Sequence, residues 1–195
     1  PYFVGTSNTL LAMQNGIKAI GTHAHELFMF HAALFGYRLA NRHALTAWVE
    51  EFGGDLGIAL ADTFTSRIFF QQFDMQMSKL FDGCRQDSGS PIEFAQMAIE
   101  HYQKFGIDPM SKTIVFSDGL DIQKAIEIAD WCRGKIKCAF GIGTNISNDC
   151  GHKPLNMVIK MTKCNGVPVV KLSDVLGKHT GDPAAIANCK YVFGL

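Results

Sequence analysis

Short runs of β-branched and aliphatic residues alternate along this chain with stretches whose apolar positions recur every three to four residues. Ile17 to Gly21 reads as a short strand, and Ala24 to Phe35 as the helix after it. Ala40 to Phe52 forms a second helix, with Leu45, Trp48, Val49 and Phe52 on one face and Gly53-Gly54 stopping it. Leu56 to Leu60 is a strand that ends at Ala61-Asp62, followed by a helix over Ser66 to Phe73. Gly83 to Gln86 is a strand ending at Asp87-Ser88-Gly89, and Pro91 sits in the first turn of a helix running to about Phe105. Thr113 to Phe116 is a strand, Asp121 to Cys132 a helix, and Lys135 to Phe140 a strand ending at Gly141-Ile142-Gly143-Thr144. Asn156 to Lys163 and Val167 to Leu172 read as two strands around Asn165-Gly166, the strongest short hairpin signal. Asp182-Pro183 opens a last helix.

Strands alternating with helices imply parallel pairing. A doubly wound sheet concentrates its ligand at one switch point, whereas here five successive strand ends carry polar, acidic or glycine residues. That distribution favours an α/β barrel, which builds its site from all its strand C-termini.

Composition narrows the reading. The 195 residues are 47% hydrophobic and 18% charged, enough for a folded domain with a full core. The formal net charge is +0, which gives no electrostatic case for nucleic acid or an anionic membrane as partner. No apolar run approaches the ~20 residues of a membrane span, no signal-peptide pattern is visible, and a cytoplasmic location is expected. The six cysteines show no CxxC spacing, so free thiols are expected. The start at Pro1 reads as the middle of something, as if the chain were a fragment or a processed product.

The strand ends hold the candidate chemistry. Gly141-Ile142-Gly143-Thr144 can point backbone amides and a hydroxyl at an anion, or simply make a tight turn. Arg85 and Asp87 place a guanidinium and a carboxylate two apart; a surface ion pair with a serine helix cap fits as well. Asp118 and Asp121 could meet sugar hydroxyls or Mg2+, though Asp121 is also placed to cap a helix, and Asp62 carries the same ambiguity. His23 and His25 lie where a helix begins, which suits a base, a metal ligand or a phosphoryl acceptor, with Glu26 able to orient an imidazole. Their i, i+2 spacing argues against joint metal binding.

In order, the segments Gly5-Thr6-Ser7-Asn8, Gly21-Thr22-His23-Ala24-His25-Glu26, Gly57 to Thr63, Arg85-Gln86-Asp87-Ser88-Gly89, Phe116 to Asp121, Gly141 to Asn145, Lys153 to Lys160 and Lys171-Leu172-Ser173-Asp174 resemble those of the nicotinate phosphoribosyltransferase family. The resemblance implies a portion of an irregular type II (β/α) barrel with a β-hairpin near the C-terminus. Residues 1–195 would be a single barrel portion, without the family's N-terminal domain and the first part of its barrel. It implies joining nicotinate to phosphoribosyl pyrophosphate, giving nicotinate mononucleotide and pyrophosphate, coupled to ATP hydrolysis with Mg2+, usually in a homodimer. The sister activity on nicotinamide, or an inactive fragment, are the alternatives. By the family pattern His25 resembles the phosphorylated, catalytic histidine, Thr22 and Arg85 the nicotinate contacts, and Gly143 and Thr144 the phosphate end of the phosphoribosyl site. Asp87 and Asp118 resemble catalytic residues around the ribose and its Mg2+. The sequence departs from the family at Ser90, where an acidic residue is usual, and at Gly119, where a larger polar residue is common.

Overall fold

The computed structural model describes residues 2–155, 157–175 and 177–195. Its centre is a four-stranded sheet of β1 (Ile58–Leu60), β2 (Gly83–Gln86), β3 (Thr113–Phe116) and β4 (Lys137–Phe140), in that order, all parallel. Each step to the next strand passes through helix: α4 (Ser66–Gln72) and α5 (Met75–Leu80), then α6 (Pro91–Lys104), then α7 (Ile122–Cys132). Before the sheet come α1 (Thr9–Asn15), α2 (His25–Phe35) and α3 (Tyr37–Phe52). After it come α8 (Thr144–Ser147), a hairpin of β5 (Lys163–Cys164) and β6 (Val167–Pro168), and α9 (Pro183–Phe193).

The two sheet faces differ, and the period of two explains how. Ala59, Cys84, Ile114 and Cys138 stand in register across the strands, and Cys84 and Ile114 are fully buried. On that face Tyr102 of α6, itself buried, brings its hydroxyl to 3.3 Å from the Cys84 thiol. Arg85 stands one residue on, in register with Leu60 and Val115, and so projects from the opposite face. The alternation therefore keeps a guanidinium off the helix-covered side.

Gly83 is dictated by close packing: a Cβ there would sit 1.7 Å from the Thr113 carbonyl oxygen. Helix α6 follows from its sequence. Ser90 caps it through the Glu93 N–H, Pro91 occupies its first turn, and Phe94, Ala95, Ala98, Ile99 and Tyr102 make one buried stripe. Each large side chain on such a stripe contributes about 1.5–3 kcal/mol on burial.

Several sequence expectations change in detail. The strand at Ile17 to Gly21 is reduced to a single parallel bridge between Thr6 and Ala19. Asn156, where the next-to-last strand was expected to begin, lies outside the described residues, and ladder pairing is confined to Lys163–Cys164. The Asn165-Gly166 turn forms as expected, both residues having positive φ (49° and 77°). Its second strand ends at Pro168, with one further cross-strand bond from the Val169 N–H to the Thr162 carbonyl at 3.0 Å, and Lys171 then bridges to Thr180.

Candidate active site at the strand ends

Three elements, α2, β1 and β2, meet at His25. Ala24 is extended and α2 begins at His25, so the imidazole stands at the positive end of an eleven-residue helix. β1 ends at Leu60, and the chain beyond it delivers Asp62 and Thr63 to the ring. β2 ends at Gln86 and delivers Asp87. The Thr63 hydroxyl lies 3.0 Å from Nδ1, an Asp87 oxygen 3.0 Å from Nε2, and an Asp62 oxygen 3.6 Å from Nε2. The ring is buried.

The carboxylates fix where the ring hydrogen sits. Burial disfavours a charged Asp87, but the His25 bond, the Arg85 charge and bond, and the Ser117 hydroxyl outweigh it and hold this carboxyl well below the usual range. An ionised carboxylate only accepts, so in the neutral imidazole Nε2 carries the hydrogen and Nδ1 accepts the Thr63 hydroxyl; the tautomer follows from the network.

Arg85 joins the same cluster. Nε donates to Ser117 Oγ, one terminal nitrogen to Thr22 Oγ1 and the other to Asp87 Oδ1, each at 2.8 Å. Three of its five N–H donors are thus committed, leaving one on each terminal nitrogen. Ser117 in turn donates to Asp87 Oδ1 or the Gln86 carbonyl, at 2.8 and 2.9 Å. The sequence alternatives for Arg85 and Asp87 merge: they are an ion pair, and it is built into the cluster rather than spread on the surface.

Asp62 was ambiguous from sequence and proves central. It is fully buried, and one of its oxygens accepts from Ser88 at 2.5 Å with Lys171 Nζ at 3.6 Å. Its other oxygen has no hydrogen-bond partner among the described residues. Ser88 also accepts the Asp174 N–H at 3.0 Å, and Asp174 grips both the amide and hydroxyl of Ser66. Burial, supported by the nearby Asp62 charge and opposed by the Ser66 bonds, raises the Asp174 carboxyl above its ordinary range. The backbone is strained on both sides of this seam, at Thr65 (φ 84°) and Ser173 (φ 67°), neither of them glycine.

His25, Asp62 and Asp87 each offer an atom within 4.8 Å of the others, a grouping that could hold a cation. Mg2+ prefers oxygen ligands, and Asp62 offers a buried oxygen without a partner, so the two carboxylates suit it better than the imidazole does.

Other candidates fall elsewhere. His23 turns inward: its Nδ1 accepts the Leu60 N–H at 3.2 Å and its ring stands edge-to-face with Trp48, Phe28 and Phe81. Burial first, and then the Arg85 charge, lower its pKa to about 4, so it is a neutral packing residue. Glu26 faces Lys160 at 3.6 Å rather than an imidazole. Asp121 caps α7 through the Lys124 N–H at 2.8 Å. Asp118 is half-buried and makes no hydrogen bond to the His25 cluster among the described residues. Gly143 and Thr144 are exposed at the start of α8, on a loop pinned by the Asn145 side chain to the Leu120 carbonyl at 2.7 Å. Thr63, Ser117 and Lys171 were not singled out from sequence, and Ser88 only as an alternative to Ser90 for the helix cap, which Ser90 makes. Their one available signal was position, since each lies at or just past a strand end or in a family-like segment.

A parallel sheet with helical crossovers and a charged cluster at the strand C-termini defines an α/β enzyme fold of the barrel-forming kind. The chain belongs to the Nicotinate phosphoribosyltransferase (NAPRTase) family, whose model matches residues 1–195. It is 56% identical over 99% of its length to a nicotinate phosphoribosyltransferase of Chromohalobacter salexigens, covering 51% of that protein. It is 55% identical over 95% of its length to one of Desulforapulum autotrophicum, covering 49% of it. Among solved structures, nicotinate phosphoribosyltransferase from Porphyromonas gingivalis superposes with a TM-score of 0.95 at 44% identity, covering 98% of this chain and 51% of that one. The chain spans about half the length of the curated relatives it matches.

Proposed function

We propose that the whole protein joins nicotinate to phosphoribosyl pyrophosphate, releasing pyrophosphate and forming nicotinate mononucleotide with coupled ATP hydrolysis. The observation that carries this reading is the His25 ring, held at a helix start by Thr63 and Asp87 with Arg85 and Thr22 beside it. The name of the relatives supplies the substrate class.

His25 accepts the phosphoryl group from ATP in this reading. The helix start favours the added negative charge, and the nitrogen that is not phosphorylated keeps the ring in place through Asp87 or Thr63. The two uncommitted N–H donors of Arg85, with the Thr22 hydroxyl, receive the nicotinate carboxylate. Asp87, kept ionised, opposes the cationic character that develops at the ribose C1 as pyrophosphate departs. In this reading Asp118, just past the end of β3, serves the ribose and its Mg2+, and Gly143 with Thr144 takes the phosphoribosyl phosphate. Mg2+ would be held by Asp62 and Asp87 and would neutralise phosphate charge when bound.

Residues 1–195 are then one portion of the barrel, and the 195-residue chain alone is expected to turn over little or nothing. The full protein is proposed to act as a homodimer in the cytoplasm. No helix of the described residues is long and apolar enough to cross a membrane. The test compares nicotinate with nicotinamide in full-length enzyme supplied with phosphoribosyl pyrophosphate, ATP and Mg2+. Faster turnover of the acid supports the reading, and faster turnover of the amide overturns it.

A further inference from the structure

The charges around His25 point to a residue that neither the motifs nor the family name assigns. Two carboxylates, Asp62 and Asp87, face its Nε2 edge, and a phosphoryl donor entering there meets like charge from both. Two cations offset them. Arg85 pairs with Asp87, and all three of its nitrogens already donate to protein partners. Lys171 is placed differently. Its amine lies 3.6 Å from Asp62, beyond hydrogen-bond distance, and it makes no side-chain hydrogen bond among the described residues. The Asp62 oxygen it faces is already satisfied by Ser88 at 2.5 Å.

The Lys171 backbone, by contrast, is fixed. Its N–H and carbonyl both pair with Thr180, at 3.0 and 2.9 Å, and the next residue donates its N–H to the Thr63 carbonyl at 2.8 Å. The stem is thus anchored on the same residue that holds the His25 ring, while the three donors of the ammonium stay uncommitted. The Lys171 side chain is 14% exposed, whereas Asp62 is fully closed off. Lys160, the other lysine within 4 Å of a carboxylate among the described residues, faces Glu26 and does not share a carboxylate with His25.

We infer that Lys171 is a catalytic residue of the phosphorylation half-reaction, binding the non-bridging oxygens of the phosphoryl group that His25 accepts; this rests on the function proposed above. In that step Nε2 attacks the γ-phosphorus from the tautomer whose hydrogen has moved to Nδ1 and is donated to the Thr63 hydroxyl. The N–P bond forms as the bond from phosphorus to the β,γ-bridging oxygen breaks, and that electron pair leaves on ADP. The other ring nitrogen keeps its hydrogen, so no proton is released. Lys171 turns from Asp62 to the transferring oxygens, and Asp62 retains Ser88.

The experiment measures single-turnover transfer of γ-labelled phosphate to His25 in full-length enzyme. Lys171→Met is expected to slow labelling by about 100-fold, the order found for losing one preorganised transition-state donor. Lys171→Arg, which keeps the charge, should recover part of that loss. A purely structural lysine would lower the thermal midpoint of Lys171→Met and leave the labelling rate of the folded enzyme unchanged, and that result overturns the inference. Should Lys171→Met not fold, amine-acylation footprinting of the wild type decides: Mg2+-ATP protects Lys171 if the inference holds, and unchanged labelling overturns it. A wild type that takes no label at His25 would instead refute the proposed function itself, so the two failures are separable.

Discussion

The ends of β1 to β3 and the end of β4 look alike in sequence and differ in construction. At the first three, Thr63, Arg85, Asp87 and Ser117 are tied to one another and to His25 through side-chain bonds of 2.8 to 3.0 Å, and Asp62, bonded to Ser88 at 2.5 Å, faces His25 at 3.6 Å. At the fourth, Gly143 and Thr144 stand exposed on a four-residue helix. The difference separates two kinds of work. A covalent acceptor needs its ring orientation and charges set in advance, because reorganisation during the step raises the barrier. An anion loop that recognises a phosphate needs only backbone amides and a hydroxyl facing open space.

Three results would break or sharpen this contrast. The largest effect is expected at Asp87, which supports both His25 and Arg85. Asp87→Asn removes the charge on which both lean and should lower kcat by about 10^2 to 10^3-fold in the full-length enzyme, as steady-state assays would read.

The second test concerns His23, two residues from His25 and opposite in environment. Its folded pKa of about 4 lies below the ordinary 6.5, so between those values the unfolded chain binds a proton that the native protein refuses. Stability from this group is complete above pH 6.5 and falls as pH drops toward 4, by about 3 kcal/mol in all. Denaturant midpoints measured across that window should fall with acid, and less steeply in His23→Phe. Equal slopes would contradict the neutral packing role.

The smallest effect is expected at the fourth strand end. Thr144→Val should raise KM for phosphoribosyl pyrophosphate a few-fold, about 1 kcal/mol for one hydroxyl contact, and leave the labelling of His25 unchanged. A larger fall in labelling than Asp87→Asn causes would invert the comparison.

What the sequence disclosed follows from how far apart the interacting residues are. Strands β2 and β3 and the caps at Ser90, Asp121 and Asp182 are local, and spacing reveals them. Helices α1 and α5, of seven and six residues, are too short for a periodic signal and depend on the Asn8 and Asp74 caps. In the site, Arg85 and Asp87 were legible because they are two apart at one strand end. The seam from Asp62 through Ser88 to Asp174 and Ser66 joins residues 26, 86 and 108 positions apart, which no local pattern encodes. Gly89 has φ 77°, which favours glycine by itself, and a Cβ there would also approach Asp174 of the distant segment to 3.1 Å.

The central claim is that His25 is the phosphoryl acceptor, and the most direct measurement is the site of label after γ-labelled ATP meets full-length enzyme. Peptide mapping of the wild type should place acid-labile phosphate on His25, and His25→Asn should carry none. Label elsewhere in the wild type, or undiminished label in His25→Asn, would contradict the account.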